Sequence, residues 1–243
     1  MSAFIPVFEY QGIRVSVKPE LEIYSEKVRQ CKKLIDWIDN INRDEIHITC
    51  ITILSVFMFG PNIGFLTLQS DAGTIKDDKI IPIPNFVFLR GDSVAVLLFI
   101  TVQETGERYL LLCNQHRLPF GGYMTELCAG MIDNDTVSGA IFKEIHEETG
   151  ITIEKSELHE LGSYFMSAGA CDEKITFFEY NKVISASDFE TMKTKIYGEN
   201  QSEQITLRFY TEEQIVIEIR NNSIKDAKLL CALTLYSNKH CKI

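Results

Sequence analysis

The 243-residue chain has no apolar run long enough to cross a bilayer. Its strongest stretches, around 50–59 and 94–100, fall far short of the roughly 20 residues a spanning helix needs, so no membrane segment is expected. The first residues, Met-Ser-Ala-Phe-Ile-Pro, offer neither a basic leader region nor a sustained apolar one, which predicts a cytoplasmic protein. Cysteines stand at 31, 50, 113, 128, 171, 231 and 241 and never as C-x-x-C. An odd, unpaired set indicates neither a disulfide framework nor a zinc site, and free thiols are expected. Basic residues are outnumbered, 24 Lys and Arg against 34 Asp and Glu, for a formal charge of −10. That balance opposes binding to nucleic-acid backbone and to acidic membranes, and leaves small anionic ligands possible with the help of a metal. Internal repeats and low-complexity tracts are absent. What remains is ordinary globular composition, 45% apolar, enough for one large domain or for a main domain with a smaller companion.

The chemistry-bearing residues gather between 130 and 150. From Val137 to Thr149 there is no proline and a single early glycine, and Gly150 follows, so the spacing predicts a helix closed by a glycine cap. Glu144, Glu147 and Glu148, spaced i, i+3, i+4, then share one face. At roughly 100° per residue Val137, Ala140 and Ile141 fall on that same side, so the acids point inward. A solvated acidic face would lie opposite the apolar stripe. Three inward carboxylates repel one another and need cations, and hard oxygen ligands select Mg²⁺ or Mn²⁺.

This stretch resembles the signature of the Nudix hydrolases, Gly-x5-Glu-x7-Arg-Glu-U-x-Glu-Glu-x-Gly-U, with U aliphatic. Glu144, Ile145, Glu147, Glu148, Gly150 and Ile151 fill the second half. Lys143 stands in place of the arginine and Asp135 in place of the first glutamate, and four rather than five residues separate Gly130 from Asp135. The resemblance extends to other segments. Gln115-His116-Arg117 is similar to the Gln-x-Arg segment of sugar-nucleotide Nudix enzymes, which implies a phosphate contact for Arg117, whose guanidinium suits a diphosphate; a surface ion pair is the plain alternative. Glu126-Leu-Cys-Ala-Gly130 resembles the lead into the Nudix box, which implies that Glu126 reads the sugar or ribose and that Ala129 ligates metal through its carbonyl. Met166 to Lys174 resembles a loop that supplies a carboxylate near the attacking water, a position matched by Glu173 with Asp172 beside it. Cys171 reads as a packing residue.

The rest of the chain supplies a frame. Residues 4–17 alternate around Gln11-Gly12 as strand, turn and strand. From Pro19 to about Asn40 the apolar residues recur every three or four positions, which predicts one amphipathic helix, with Trp37 packed. Residues 46–59 and 63–68 around Gly60-Pro61-Asn62 predict a hairpin. Met58-Phe59-Gly60 and Asn62-Ile63-Gly64-Phe65-Leu66 resemble the N-terminal part of plant Nudix nucleotide-sugar pyrophosphatases, and the resemblance implies a homodimer built on this region. Arg90 to Phe99 reads as a buried strand, not an Arg-Gly-Asp adhesion site, and its partner is Tyr109 to Gln115. Strands are expected at 158–165, 175–183 and 205–210, a polar surface loop with a short helix at 184–204, and a helix at 224–236 with Leu229, Ala232, Leu233 and Tyr236 on one face.

The expected architecture is α/β, a Nudix α/β/α sandwich with a mixed sheet over residues 90–243, preceded by a smaller β-rich domain with one helix over residues 1–89. The expected reaction is Mg²⁺- or Mn²⁺-dependent hydrolysis of the pyrophosphate of a nucleoside diphosphate sugar of the ADP-ribose, ADP-glucose or UDP-glucose class. Its products are a nucleoside monophosphate and a sugar 1-phosphate, or ribose 5-phosphate from ADP-ribose. Glu144, Glu147, Glu148 and Glu173 are the expected catalytic residues, Gln115, Arg117 and Glu126 bind substrate, and Ala129 joins the first three glutamates at the metal. The degenerate first half of the motif keeps one alternative open, a catalytically weak domain that binds nucleotide as a sensor or interaction module.

Overall fold

A computed structural model describes residues 4–77, 79–132, 137–198 and 204–240. Asp135 lies outside them. The chain divides into two units, residues 1–91 with 167–173, and residues 92–166 with 174–243. The segment 167–173 therefore belongs with the N-terminal residues. The described residues include no helix long and apolar enough to cross a membrane.

In the first unit, β1 (Ile5–Tyr10) and β2 (Ile13–Val17) form the expected hairpin, with Gln11 and Gly12 both at positive φ in its turn. Residues 19–40, predicted as one helix, break into a 3-10 turn at Pro19–Tyr24, α1 (Ser25–Arg29) and α2 (Lys32–Asp39), with Cys31 extended between them. Burial explains the break. Val28, Leu34 and Ile38 are all fully buried, yet round a continuous helix Val28 and Leu34 would stand roughly 120° apart. Interrupting the helix turns both onto the sheet. The hairpin β3 (Ile46–Phe59) and β4 (Asn62–Lys76) is present but longer than the sequence suggested, and β4 pairs along its length with β5 (Lys79–Pro82) and β6 (Phe86–Leu89). The sheet runs β1-β2-β3-β4-β5, with only β2 and β3 parallel. One face packs Ile13, Val15, Val17, Ile51, Ile53, Leu66 and Leu68 against the helices. Phe57, Phe59, Ile80, Ile81 and Phe86 remain exposed.

The second unit is a mixed sheet between two helical layers. Its strands are β7 (Ser93–Val102), β8 (Arg108–Arg117), β9 (Gly122–Glu126), β10 (Cys128–Met131), β11 (His159–Phe165), β12 (Lys174–Ile184), β13 (Ile196–Tyr197) and β14 (Ile205–Tyr210). They run β11-β12-β7-β8-β14-β13, with β10 on β7 and β9 on β8. The parallel β12–β7 pair in an otherwise antiparallel sheet makes it mixed. Strand β7 shows why both faces need cover. Val94, Val96, Leu98 and Ile100 face one core, with α3 (Val137–Thr149) and α4 (Ala186–Thr194); Ala95, Leu97 and Phe99 face the other, with α5 (Glu212–Arg220) and α6 (Ala227–His240). Burial on both sides turns the usual alternation into a continuous apolar run. The α/β/α expectation holds. The short helix expected within 184–204 is α4, though it sends Phe189 and Met192 into the core instead of lying on the surface. Helix α5, which the sequence reading passed over, is set by a capping box in which Thr211 and Gln214 satisfy each other's backbone.

Candidate active site

Helix α3 spans the residues the spacing predicted and ends at Gly150, whose φ is +73°. Ala140, Ile141, Ile145 and Glu148 are buried, and Glu144 and Glu147 are half-buried. Val137, expected on the same inward face, is 39% exposed; its angle round the helix is right, but it occupies the first residue, where less of the unit covers it. The inward turn of the acids is therefore carried by Ala140, Ile141 and Ile145.

Glu148 is the most buried of the three. Its Oε2 accepts the Ala129 N–H from β10 at 3.3 Å and the Cys113 thiol from β8 at 3.5 Å. Burial, then the charge of Glu144, raise its pKa from 4.5 to about 8. A carboxylate held this way is poorly compensated by neutral donors, and a cation between it and Glu144 would restore the balance. Glu144 lies across Gly130 of β10 so closely that a Cβ there would overlap its side chain, which is why a glycine is needed at that point. Glu147, about 100° round the helix from Glu148, meets Lys143 at 3.7 Å with part of its side chain in solvent. Glu144, Glu147 and Glu148 offer only oxygen donors, the ligand class of hard divalent ions such as Mg²⁺.

A second group sits beside these acids. Arg117, at the end of β8, donates from Nε to Glu126 Oε1 at 2.6 Å, and Lys228 Nζ of α6 meets Glu126 Oε2 and Asp226 Oδ1, each at 3.0 Å. Asp226 also accepts the Leu127 N–H at 3.0 Å and so ties α6 to the chain just after β9. Glu126 and Asp226 are almost fully buried. Burial alone would lower the Lys228 pKa, but Asp226 and Glu126 outweigh it and leave it raised. Two cations and two carboxylates balance, and Arg117, with 43% of its side chain exposed, keeps the two-nitrogen end of its guanidinium for a ligand. Both of the Glu126 oxygens are engaged by these cations, so this structure gives Glu126 the work of aiming Arg117. Gln115 is buried on β8 opposite Met124. The Asp-Ala-Lys segment at 226–228 was legible in the sequence as a family resemblance, but local spacing gave Asp226, just before α6, and Lys228, its second residue, no site role.

Glu173 follows Asp172 immediately before β12. It belongs to the first unit, where its carboxylate pairs with Arg90. Asp172 accepts the N–H groups of Arg90 and Gly91 at 2.6 and 3.2 Å, and Phe88 N–H donates to Ala170 at 2.7 Å. The loop is thus fastened by bonds to residues about 80 positions earlier in the chain, which no local spacing announces.

Among the described residues, one group of metal-binding side chains has its ligand atoms all within 4.8 Å of one another: Cys113, Cys128 and Glu148, all buried. Glu144 and Glu147 are not part of it. Sequence spacing gave no hint of this, because the two cysteines are brought together by β8 and β10, both beside β7.

A helix with inward glutamates after a glycine-bearing strand, on a mixed sheet between helical layers, defines a Nudix domain. The NUDIX domain family model matches residues 91–233, and the chain belongs to the Nudix hydrolase family. It is similar to Nudix hydrolase 14, chloroplastic, of Arabidopsis thaliana, with 31% identity over 198 residues, 76% of this chain and 61% of that protein. It is also similar to the GDP-mannose pyrophosphatases of Escherichia coli K12, 29% identical over 175 residues, 69% of this chain and 84% of that one, and of Salmonella paratyphi B, 27% identical over the same length. The chain spans about three fifths of the length of the Arabidopsis relative.

Proposed function

We propose that this protein hydrolyses the pyrophosphate bond of a nucleoside diphosphate sugar, releasing a nucleoside monophosphate and a sugar 1-phosphate. The observation that carries the reading is the buried Glu148 carboxylate beside Glu144, next to an arginine aimed by a buried acid–lysine pair. Glu144, Glu147 and Glu148 hold Mg²⁺ or Mn²⁺, with the Ala129 carbonyl as a further oxygen. When bound, such an ion neutralises the diphosphate and makes a water more acidic. The protein's own groups do the rest. Arg117 grips a phosphate with its outer nitrogens, Glu126 and Lys228 keep that grip in register, and Gln115 supports the strand that presents it.

The relatives widen the candidate sugars to include GDP-mannose beside ADP-ribose, ADP-glucose and UDP-glucose. The exposed Phe57, Phe59, Ile80, Ile81 and Phe86 of the N-terminal sheet support a homodimer that covers them. Product analysis on a panel of the four nucleotide sugars with Mg²⁺ tests the reaction, with nucleoside monophosphate and sugar 1-phosphate expected, or ribose 5-phosphate from ADP-ribose. Tight binding of all four without turnover would refute it in favour of a nucleotide sensor.

A further inference from the structure

The cluster of Cys113, Cys128 and Glu148 is used by no step of the proposed reaction, although one member belongs to the catalytic set. The Cys113 and Cys128 sulfurs lie 2.9 Å apart, and Cys113 Sγ is 3.5 Å from Glu148 Oε2. All three side chains are buried, at 0%, 1% and 6% exposure. We propose that they form a binding site for a thiophilic divalent cation of the zinc class, and that a cation there takes Glu148 away from the oxygen-only set on α3 and suppresses turnover.

Ligand chemistry separates the two sites. Mg²⁺ takes oxygen ligands in near-octahedral geometry and has no use for sulfur, whereas two thiolates and a carboxylate suit Zn²⁺. Three protein ligands leave a fourth position for solvent, as zinc sites with an open position do. The sulfurs of a tetrahedral zinc stand roughly 3.8 Å apart, so the two must part by about 0.9 Å on binding, a shift within reach of a side-chain rotation. The half-buried Ala129, Gly130 and Glu144 lie alongside, which puts the cluster just beneath the proposed Mg²⁺ site. Glu148 is the shared ligand. Its Oε2 faces the thiol, so a cation bound there competes with Mg²⁺ for the same carboxylate and places a positive charge beside it.

The binding claim stands on these three side chains alone; only the suppression of turnover rests on the proposed function. The test uses the full chain, reduced and stripped of metal with chelator. Titration with Co²⁺ is expected to give the near-ultraviolet thiolate-to-cobalt absorption and the intense visible bands of tetrahedral cobalt, and Zn²⁺ is expected to bleach them. Cys128→Ala and, as an independent variant, Cys113→Ser should each lose at least half of the thiolate band and weaken Zn²⁺ binding beyond the roughly 10- to 100-fold that a lost outer-shell partner costs. Cys128→Ala should keep its Mg²⁺-dependent turnover and lose its inhibition by Zn²⁺. The thiolate band without hydrolysis of any nucleotide sugar would uphold the site and sink the proposed reaction. Mg²⁺-dependent hydrolysis in a wild-type protein that gives no thiolate band, or a titration identical in wild type and both folded variants, would overturn the site.

Discussion

Glu148→Gln should make the metal-free protein more stable at neutral and alkaline pH while abolishing turnover. The magnitude follows from the folded-state pKa of about 8 against an ordinary 4.5, caused by burial and by Glu144. Below pH 4.5 the carboxyl is neutral in both folded and unfolded chains, and its full stabilising difference is present. As pH rises past 4.5 the unfolded chain ionises while the folded one holds its proton, so stability falls, and the loss is complete above pH 8. At about 1.4 kcal/mol per pKa unit the whole loss is on the order of 5 kcal/mol, of which about 3 kcal/mol is felt at pH 7. That is a large share of a typical domain's stability of roughly 5–15 kcal/mol. Glutamine keeps the shape, and its amide oxygen can accept from Ala129 and Cys113 without the charge. Urea unfolding of both proteins in chelator at pH 5, 6, 7 and 8 should show wild type losing stability relative to the variant as pH rises. Added Mg²⁺ should reduce the wild-type slope and leave the variant's unchanged. Parallel pH curves for the two proteins in chelator would refute the claim that Glu148 is held against its charge.

Three further perturbations probe the neighbouring parts. Glu147→Gln should lower kcat by about two orders of magnitude or more by removing a ligand charge, with little effect on melting, because its pairing with the exposed Lys143 contributes little; steady-state kinetics and calorimetry read the two effects separately. Gly130→Ala pushes the Glu144 carboxylate away from β10, so kcat should fall about 100-fold while circular dichroism stays native, and unchanged kinetics would show that the Glu144 position is irrelevant. Lys228→Met leaves Glu126 and Asp226 buried with one cation fewer; a loss of roughly 3–5 kcal/mol in urea unfolding and a KM raised more than kcat is lowered are expected, and a variant with wild-type stability and KM would remove Lys228 from the site.

The sequence by itself determined what depends on local spacing. Helix α3 with its glycine stop, the i, i+3, i+4 acids, the hairpin turn at Gln11-Gly12 and the apolar run of β7 are each written within a few neighbouring residues, where short-range sterics and local hydrophobic pattern decide the conformation. The motif around Glu144, Glu147 and Glu148 named the family for the same reason, since its residues lie on one continuous helix. Tertiary structure decided whatever depends on which distant elements share a face. The break at Cys31 answers to a sheet that both Val28 and Leu34 must cover, a demand made by strands far along the chain. Lys228 meets Glu126 across 102 residues, and Cys113 meets Cys128 because two strands lie beside β7. The 167–173 loop joins the N-terminal unit through Phe88, Arg90 and Gly91. Such contacts form because a buried charge or backbone group must find a partner wherever the fold puts one, and no local spacing encodes where that will be.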